Sequence, residues 1–258
     1  HLLASTACDL TILDRFSWGV QPLLSVIPQE VADRVQIVKG DIRNPADITT
    51  AVWRCDQIVH LAGIVGYPAC DADPQDADST NVEGTSLLCA TGLRILFAST
   101  GSTYGQVDGE ADEQTPINPL TRYGRNKAAA EQLVVDHKGV ALRLATLYGL
   151  SPRMRWDLLP HDFARRGVLG SLAVYEGWAR RTFLHVEDAA AAFAYMIAHP
   201  DAQGVWNVGT HEQNYTKQEI ANEVQALTGC PLSEQDGQDP DRRDYAINYD
   251  KICTTGWR

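Results

Sequence analysis

Tyr123 and Lys127 stand four residues apart in Tyr123-Gly124-Arg125-Asn126-Lys127, the spacing that puts two side chains on one face of an α-helix. An ammonium beside a phenol favours the phenolate and lowers its pKa, so such a pair can act as acid and base near neutral pH. Ahead of it runs Ser99-Thr100-Gly101-Ser102-Thr103-Tyr104-Gly105. These hydroxyls follow a short apolar run, at the carboxyl end of an expected strand, where open α/β sheets bind ligands.

The elements that must carry these groups are readable around them. Ala129, Leu133 and Val134 recur with helical spacing after the Tyr-Lys pair, and Pro116-Ile117-Asn118-Pro119 breaks the chain before it, as at a helix entry. Ile95-Leu96-Phe97-Ala98 reads as a strand, as do Leu10-Thr11-Ile12-Leu13, Val35-Gln36-Ile37-Val38, Gln57-Ile58-Val59-His60 and the buried run 140–148. Residues 2–8 read as a helix. Strands alternating with helical stretches imply an α/β fold. An acidic residue closing the second strand of a dinucleotide-binding fold takes the adenosine ribose hydroxyls and favours NAD, which is the role expected of Asp14. Small residues after Gln57–His60, above all Gly63, let the backbone approach a pyrophosphate or ribose closely. Leu61, Ala62 and Gly63 are therefore assigned to the cofactor face, with Ser99 after the next strand. His60, flanked by apolar residues, reads as a packed strand histidine. The acidic run 70–78 has no glycine and contains Pro74, which fits a solvated loop or helix start better than a calcium loop.

A chain of 258 residues can bury a full α/β core. At 44% hydrophobic and 21% charged it has the composition of a soluble globular protein. A net charge of −11 argues against a nucleic-acid or anionic-membrane surface, so a phosphate-bearing ligand must be held by local arginines and backbone amides. The six cysteines are scattered without C-x-x-C pairs, so no metal site or disulfide framework is expected and a cytoplasmic location fits.

Taken together, these motifs resemble the extended short-chain dehydrogenase/reductase family, within it the nucleotide-sugar epimerases and dehydratases, in particular the UDP-galactose 4-epimerase-like branch. Thr100 before Tyr104-Gly105 matches the family's strand-end Ser/Thr, and Tyr123 with Lys127 its Y-x-x-x-K. Asn81-Val82-Glu83-Gly84-Thr85 matches N-x-x-G-T, and 180–188 matches R-x-[FY]-[IVL]-H-V-x-D. The resemblance implies a Rossmann doubly wound parallel sheet with a smaller C-terminal α/β substrate lobe. It divides the chain into an NAD-binding domain, 1–149, to which 182–209 partly returns, and a substrate lobe, 150–181 and 210–258. Asp41 and Ile42 are implied at the adenine and Asn81 in support of the cofactor site. Thr146, Arg181 and Arg242 or Arg243 are implied at the substrate diphosphate, with Thr146 standing where relatives carry asparagine. Asp188 is placed to N-cap the helix that follows. No G-x-G-x-x-G or G-x-x-G-x-x-G occurs, so the first strand and glycine turn are expected to precede His1, and an unpaired sheet centre is expected without them. The helices before Ile95 and after Val135 are a turn shorter than the family's, so residues are expected to be missing at those joints.

The activity implied is that of an NAD-dependent epimerase acting on a nucleotide-diphosphate sugar. Tyr123 takes a sugar hydroxyl proton while hydride passes to NAD, the keto sugar turns over, and hydride returns to its other face. Thr100 hydrogen-bonds the reacting oxygen, and Lys127 holds the nicotinamide ribose and depresses the Tyr123 pKa. A 4,6-dehydratase is the nearest alternative, yet the Asp-Glu that the family places after the threonine is Gly101-Ser102 here. A ketosugar reductase would use the same Thr-Tyr-Lys set. A hydrolase using the 101–105 turn and a non-catalytic NAD-binding protein stand further off. A homodimer through the Tyr-Lys helix is the family expectation.

Overall fold

The computed structural model describes residues 1–237 and 244–257. The chain opens with a single helical turn, α1 (Leu2–Ser5), shorter than the expected helix, followed by β1 (Leu10–Asp14), α2 (Gln21–Leu24), β2 (Val35–Lys39), α3 (Pro45–Ala51) and β3 (Gln57–His60). Then come α4 (Tyr67–Ala72), α5 (Pro74–Asp78), a five-residue π-turn (Ser79–Glu83) and α6 (Gly84–Cys89). The central stretch holds β4 (Arg94–Thr100), β5 (Gln106–Ala111), α7 (Arg122–Asp136), β6 (Val140–Leu144) and β7 (Thr146–Tyr148). Beyond it lie α8 (Leu159–Val168), β8 (Leu172–Val174), β9 (Arg180–His185), α9 (Val186–Ala198) and β10 (Gly204–Val208). Last are β11 (Asn214–Thr216), α10 (Lys217–Thr228), β12 (Leu232–Glu234), β13 (Asp244–Ile247) and α11 (Asp250–Cys253).

Four strands form a fully parallel sheet in the order β10-β6-β4-β3. Parallel strands are buried on both faces, and alternation assigns the side chains. Leu96, Val140, Leu142 and Leu144 meet Ala189, Ala192, Phe193 and Met196 of α9 on one face. Ile95, Phe97 and Ala141 meet Ile48, Leu88, Ala130 and Val134 from α3, α6 and α7 on the other. Helices on both faces make the sheet doubly wound.

β1 pairs only with β2, and β3 only with β4, so among the described residues the parallel sheet is interrupted between β1 and β3. The short joints are closed by tight turns: Gly92 lies at φ 73° before β4, and Lys138 at φ 59° joins α7 to β6. The expected strand 140–148 is broken at Ala145, whose N–H donates to the Val208 carbonyl, and β7 joins a different sheet, β11-β9-β7. The helix after His185 is also capped differently from expectation. His185 itself is the N-cap, its ring accepting the Glu187 N–H at 3.4 Å, and Asp188 falls in the first turn.

A separate small core joins Phe163, Leu172, Val174, Ala221, Val224 and Cys230 from α8, β8, α10 and its flank. β13 and α11 return to the main core, where Tyr245, Ile247, Tyr249 and Ile252 are buried. No helix among the described residues is long and apolar enough to cross a membrane.

Candidate active site

α7 starts where the prolines stop. Thr121 is its N-cap, accepting the Gly124 N–H at 3.1 Å, and Gly105 at φ 75° lets the preceding chain pass so closely that a Cβ would overlap the Asn118 carbonyl oxygen. Tyr123 is half-buried in the first turn, and Lys127 is buried one turn on. Lys127 Nζ donates to the Ala98 carbonyl at 2.7 Å and lies 4.4 Å from the Phe97 ring centroid. Burial lowers its pKa to about 8.

Thr100, at the end of β4, accepts the Ser102 N–H at 3.1 Å and donates to Ser102 Oγ at 3.2 Å. The two hydroxyls thus form one unit on the turn 101–103, and Ser102 is a member that residue-by-residue reading missed; its only signal was a hydroxyl two positions after Thr100. Gly101 is hemmed in. A Cβ there would stand 2.6 Å from Ile247 Cδ1, with Tyr245 and the Leu144 carbonyl close behind.

Gly63 faces this constellation from the end of β3. A Cβ on it would come within 2.8 Å of Asn81 Oδ1 and 3.9 Å of Lys127 Nζ. Asn81, in the π-turn, grips both backbone groups of Ile64, accepting its N–H at 2.7 Å and donating to its carbonyl at 3.0 Å. Asp78, one element earlier, takes Arg122 Nη1 at 2.7 Å and Asn126 Nδ2 at 3.0 Å, bracketing Tyr123 on its helix. Thus Gly63, Asn81, Lys127 and the turn of α7 that carries Tyr123 are brought together, with Thr100 on β4, the strand that supplies the Lys127 acceptor. Leu61 is 59% exposed beside them, and Ala62 packs partly into the core.

Other assignments fare differently. Ser99 is turned away, because alternation along β4 sends it to the opposite face from Thr100. It is buried and donates to Glu131 Oε2 at 2.6 Å, within an ion pair in which Arg143 Nη2 reaches Glu131 Oε1 at 2.6 Å. The Ile42 side chain is likewise buried, against Gly84 rather than at an open adenine face. Asp41 is engaged by Arg43, at 2.7 Å, and by Arg15, at 3.7 Å, and hydrogen bonding to Arg43 holds its pKa below the usual value despite partial burial. Asp14 is exposed at the end of β1, one oxygen accepting the Phe16 N–H at 2.6 Å. Thr146 pairs with Phe183 between β7 and β9. Arg181 is buried and donates to the Arg180 carbonyl at 2.8 Å. Arg242 and Arg243 lie outside the described residues.

A dinucleotide fits this donor set at its two ribose ends. Asp14 offers an exposed carboxylate, and the close approach at Gly63 leaves backbone beside Lys127 without an intervening side chain. No glycine-rich turn for the pyrophosphate occurs in the sequence.

Comparison with known proteins agrees with this arrangement. The sequence model of the NAD dependent epimerase/dehydratase family matches residues 1–209. The low-salt glycan biosynthesis protein Agl12 of Haloferax volcanii is 28% identical over 236 residues, covering 86% of this chain and 76% of that protein. A dTDP-glucose 4,6-dehydratase of Mycolicibacterium smegmatis is 34% identical over 135 residues, 49% of this chain and 40% of that protein. The UDP-glucose 4-epimerase of Thermus thermophilus, solved with NAD, superposes with a TM-score of 0.82 at 25% identity, covering 100% of this chain and 88% of that one. The chain is thus a Rossmann-fold member of the NAD-dependent epimerase/dehydratase family, and its cofactor is NAD.

Proposed function

We propose that the chain is an NAD-dependent epimerase of a nucleotide-diphosphate sugar, working through a transient keto intermediate with Tyr123 as acid and base. One observation carries the choice of epimerisation over dehydration. Gly101, where dehydratases of the family carry the first of two acidic residues, is enclosed by Ile247 at 2.6 Å from any added Cβ. Elimination of water needs an acid and a base besides the tyrosine, and the turn 101–103 supplies neither a carboxylate nor room for one at its first position.

Bound NAD accepts a hydride from the sugar and returns it. Tyr123 takes the proton of the sugar hydroxyl at its phenolic oxygen and gives it back once the ring has turned over. The Thr100 and Ser102 hydroxyls hold the reacting oxygen, and the Lys127 ammonium supplies positive charge beside the nicotinamide ribose. Asp14 holds the adenosine ribose, while Leu61 to Gly63 line the cofactor with their backbone. Arg181 is assigned to the diphosphate by its guanidinium fork, together with Thr146 and one of Arg242 and Arg243. The division at residue 149, a homodimer through α7 and a cytoplasmic location belong to the same reading.

The test is turnover of UDP-, dTDP-, GDP- and CDP-sugars, followed by NMR and mass spectrometry. A stereoisomer of unchanged mass is expected, with kcat falling about 10²- to 10⁴-fold in Tyr123→Phe. Loss of one water from the product would make the protein a dehydratase, and a gain of two hydrogens with NADH consumed a reductase.

A further inference from the structure

The segment 149–158, between β7 and α8, reaches from the substrate side back over the cofactor side of the site. Arg153 places its guanidinium carbon 3.7 Å from the ring centroid of Trp18, in the loop after β1. Arg155 Nη2 lies 3.4 Å from where a Cβ on Gly66 would stand, in the turn that follows β3. His161 of α8 ties the segment together: its Nε2 accepts the Gly149 N–H at 3.2 Å, which leaves Nδ1 to donate to the Arg155 carbonyl at 2.9 Å. Asp157 holds the Arg155 fork in two parallel bonds, Nε to Oδ1 at 2.8 Å and Nη2 to Oδ2 at 2.6 Å. So fixed, the guanidinium is stabilised by Asp157, against the cost of burial, and by the negative charge of the Tyr123 phenolate.

Lys127 alone serves Tyr123 poorly as a constant cation. Its pKa of about 8 lies below the ordinary tyrosine value near 10, so it loses its charge before an unassisted phenol ionises. A guanidinium keeps its charge across that range. The other charged or titratable groups around this turn come from every neighbouring element. α7 supplies Arg122, Arg125 and Lys127, α5 supplies Asp78, and α4 supplies Cys70 and Asp71. Arg122 is already neutralised by Asp78 at 2.7 Å, and Arg125 lies on the exposed side of its helix. From the segment 149–158 come Arg155 and Asp157.

Resting on the reading of Tyr123 as acid and base, we propose that Arg155, oriented by Asp157 and the His161 bridge, is a second positioning residue for Tyr123, a permanent cation that favours its phenolate. The assignment adds a residue from the substrate side of the chain to the Thr-Tyr-Lys set. It makes the readiness of the tyrosine depend on the segment 149–158 being seated.

The test reads Tyr123 directly. Phenolate absorbance is titrated in the full chain, with Tyr123→Phe subtracted as background, and the same difference titration is run for Arg155→Gln and Arg155→Lys, with circular dichroism to establish folding. The Tyr123 midpoint is expected to rise by about half to one pH unit in Arg155→Gln, a three- to tenfold weaker ionisation, and by less than half as much in Arg155→Lys. An unchanged midpoint in folded Arg155→Gln overturns the proposal. Should that variant not fold, a Lys variant shifted by a full unit or more overturns it, because charge would then not be what Arg155 contributes. No substrate enters the titration, so a failed sugar panel and a failed titration are separate outcomes.

Discussion

His60 shows how completely burial can set the chemistry of one side chain. It is 2% exposed, and its Nε2 lies 2.9 Å from Thr85 Oγ1. The Thr85 hydroxyl already donates to the Asn81 carbonyl at 2.7 Å, so it accepts from His60 and fixes the Nε2–H tautomer. Burial, and secondarily the Lys127 charge, lower the His60 pKa from 6.5 to about 3. With the folded value below the unfolded one, the unfolded chain binds the extra proton, so stability is lost as pH falls from about 6.5 toward 3. The slope attributable to this one group is at most ~1.4 kcal/mol per pH unit. Urea melts across that range should show a shallower acid slope in His60→Gln, and equal slopes would refute the assignment. His60, Tyr123 and Lys127 were legible because local spacing and flanking residues determine their settings. Ser99 and Ile42 were not. Which face of β4 points to the ligand depends on the Glu131–Arg143 pair, more than thirty residues away, and Ile42 is claimed by Gly84 in a helix that pattern alone does not dock.

At the scale of elements, the helical run 74–89 is what aligns the site. Its π-turn changes the angular phase between α5 and α6, a feature frequent at functional sites. Asp78 at its near end holds α7 around Tyr123, and Asn81 inside it holds the Ile64 backbone, so one run of helix sets the distance between the tyrosine and the cofactor turn. Asp78→Ala should therefore lower kcat about tenfold or more while changing global stability by only about 1–2 kcal/mol, since its pairs are partly exposed. Steady-state kinetics beside denaturant melts would separate the two. Loss of activity in strict proportion to loss of fold would instead make Asp78 a structural residue only. The sequence reading had treated 70–78 as a solvated stretch, and its arginine partners, Arg15, Arg43 and Arg122, are scattered too widely for spacing to reveal.

Across the whole molecule, order is unevenly supported. β4, β6 and β10 carry neighbours and two helical layers, whereas β1 and β2 pair only with each other. A two-stranded unit is marginal on its own, so amides of β1 and β2 should exchange with solvent through local opening well before those of β6. Hydrogen-exchange mass spectrometry would show this, and equal protection would mean that the two parts unfold as one. The parallel α/β plan was legible from alternating strands and helices. The break at Ala145 and the return of β13 to the main core were not, since both are decided by partners distant in the chain. That return also constrains how the protein's chemistry could change by descent. Ile247, 146 positions from Gly101, occupies the space a carboxylate would need. A lineage moving toward dehydration would have to shorten or displace Ile247 before an acid at 101 could be accommodated. The order of mutations, and not only their identity, is written into the packing.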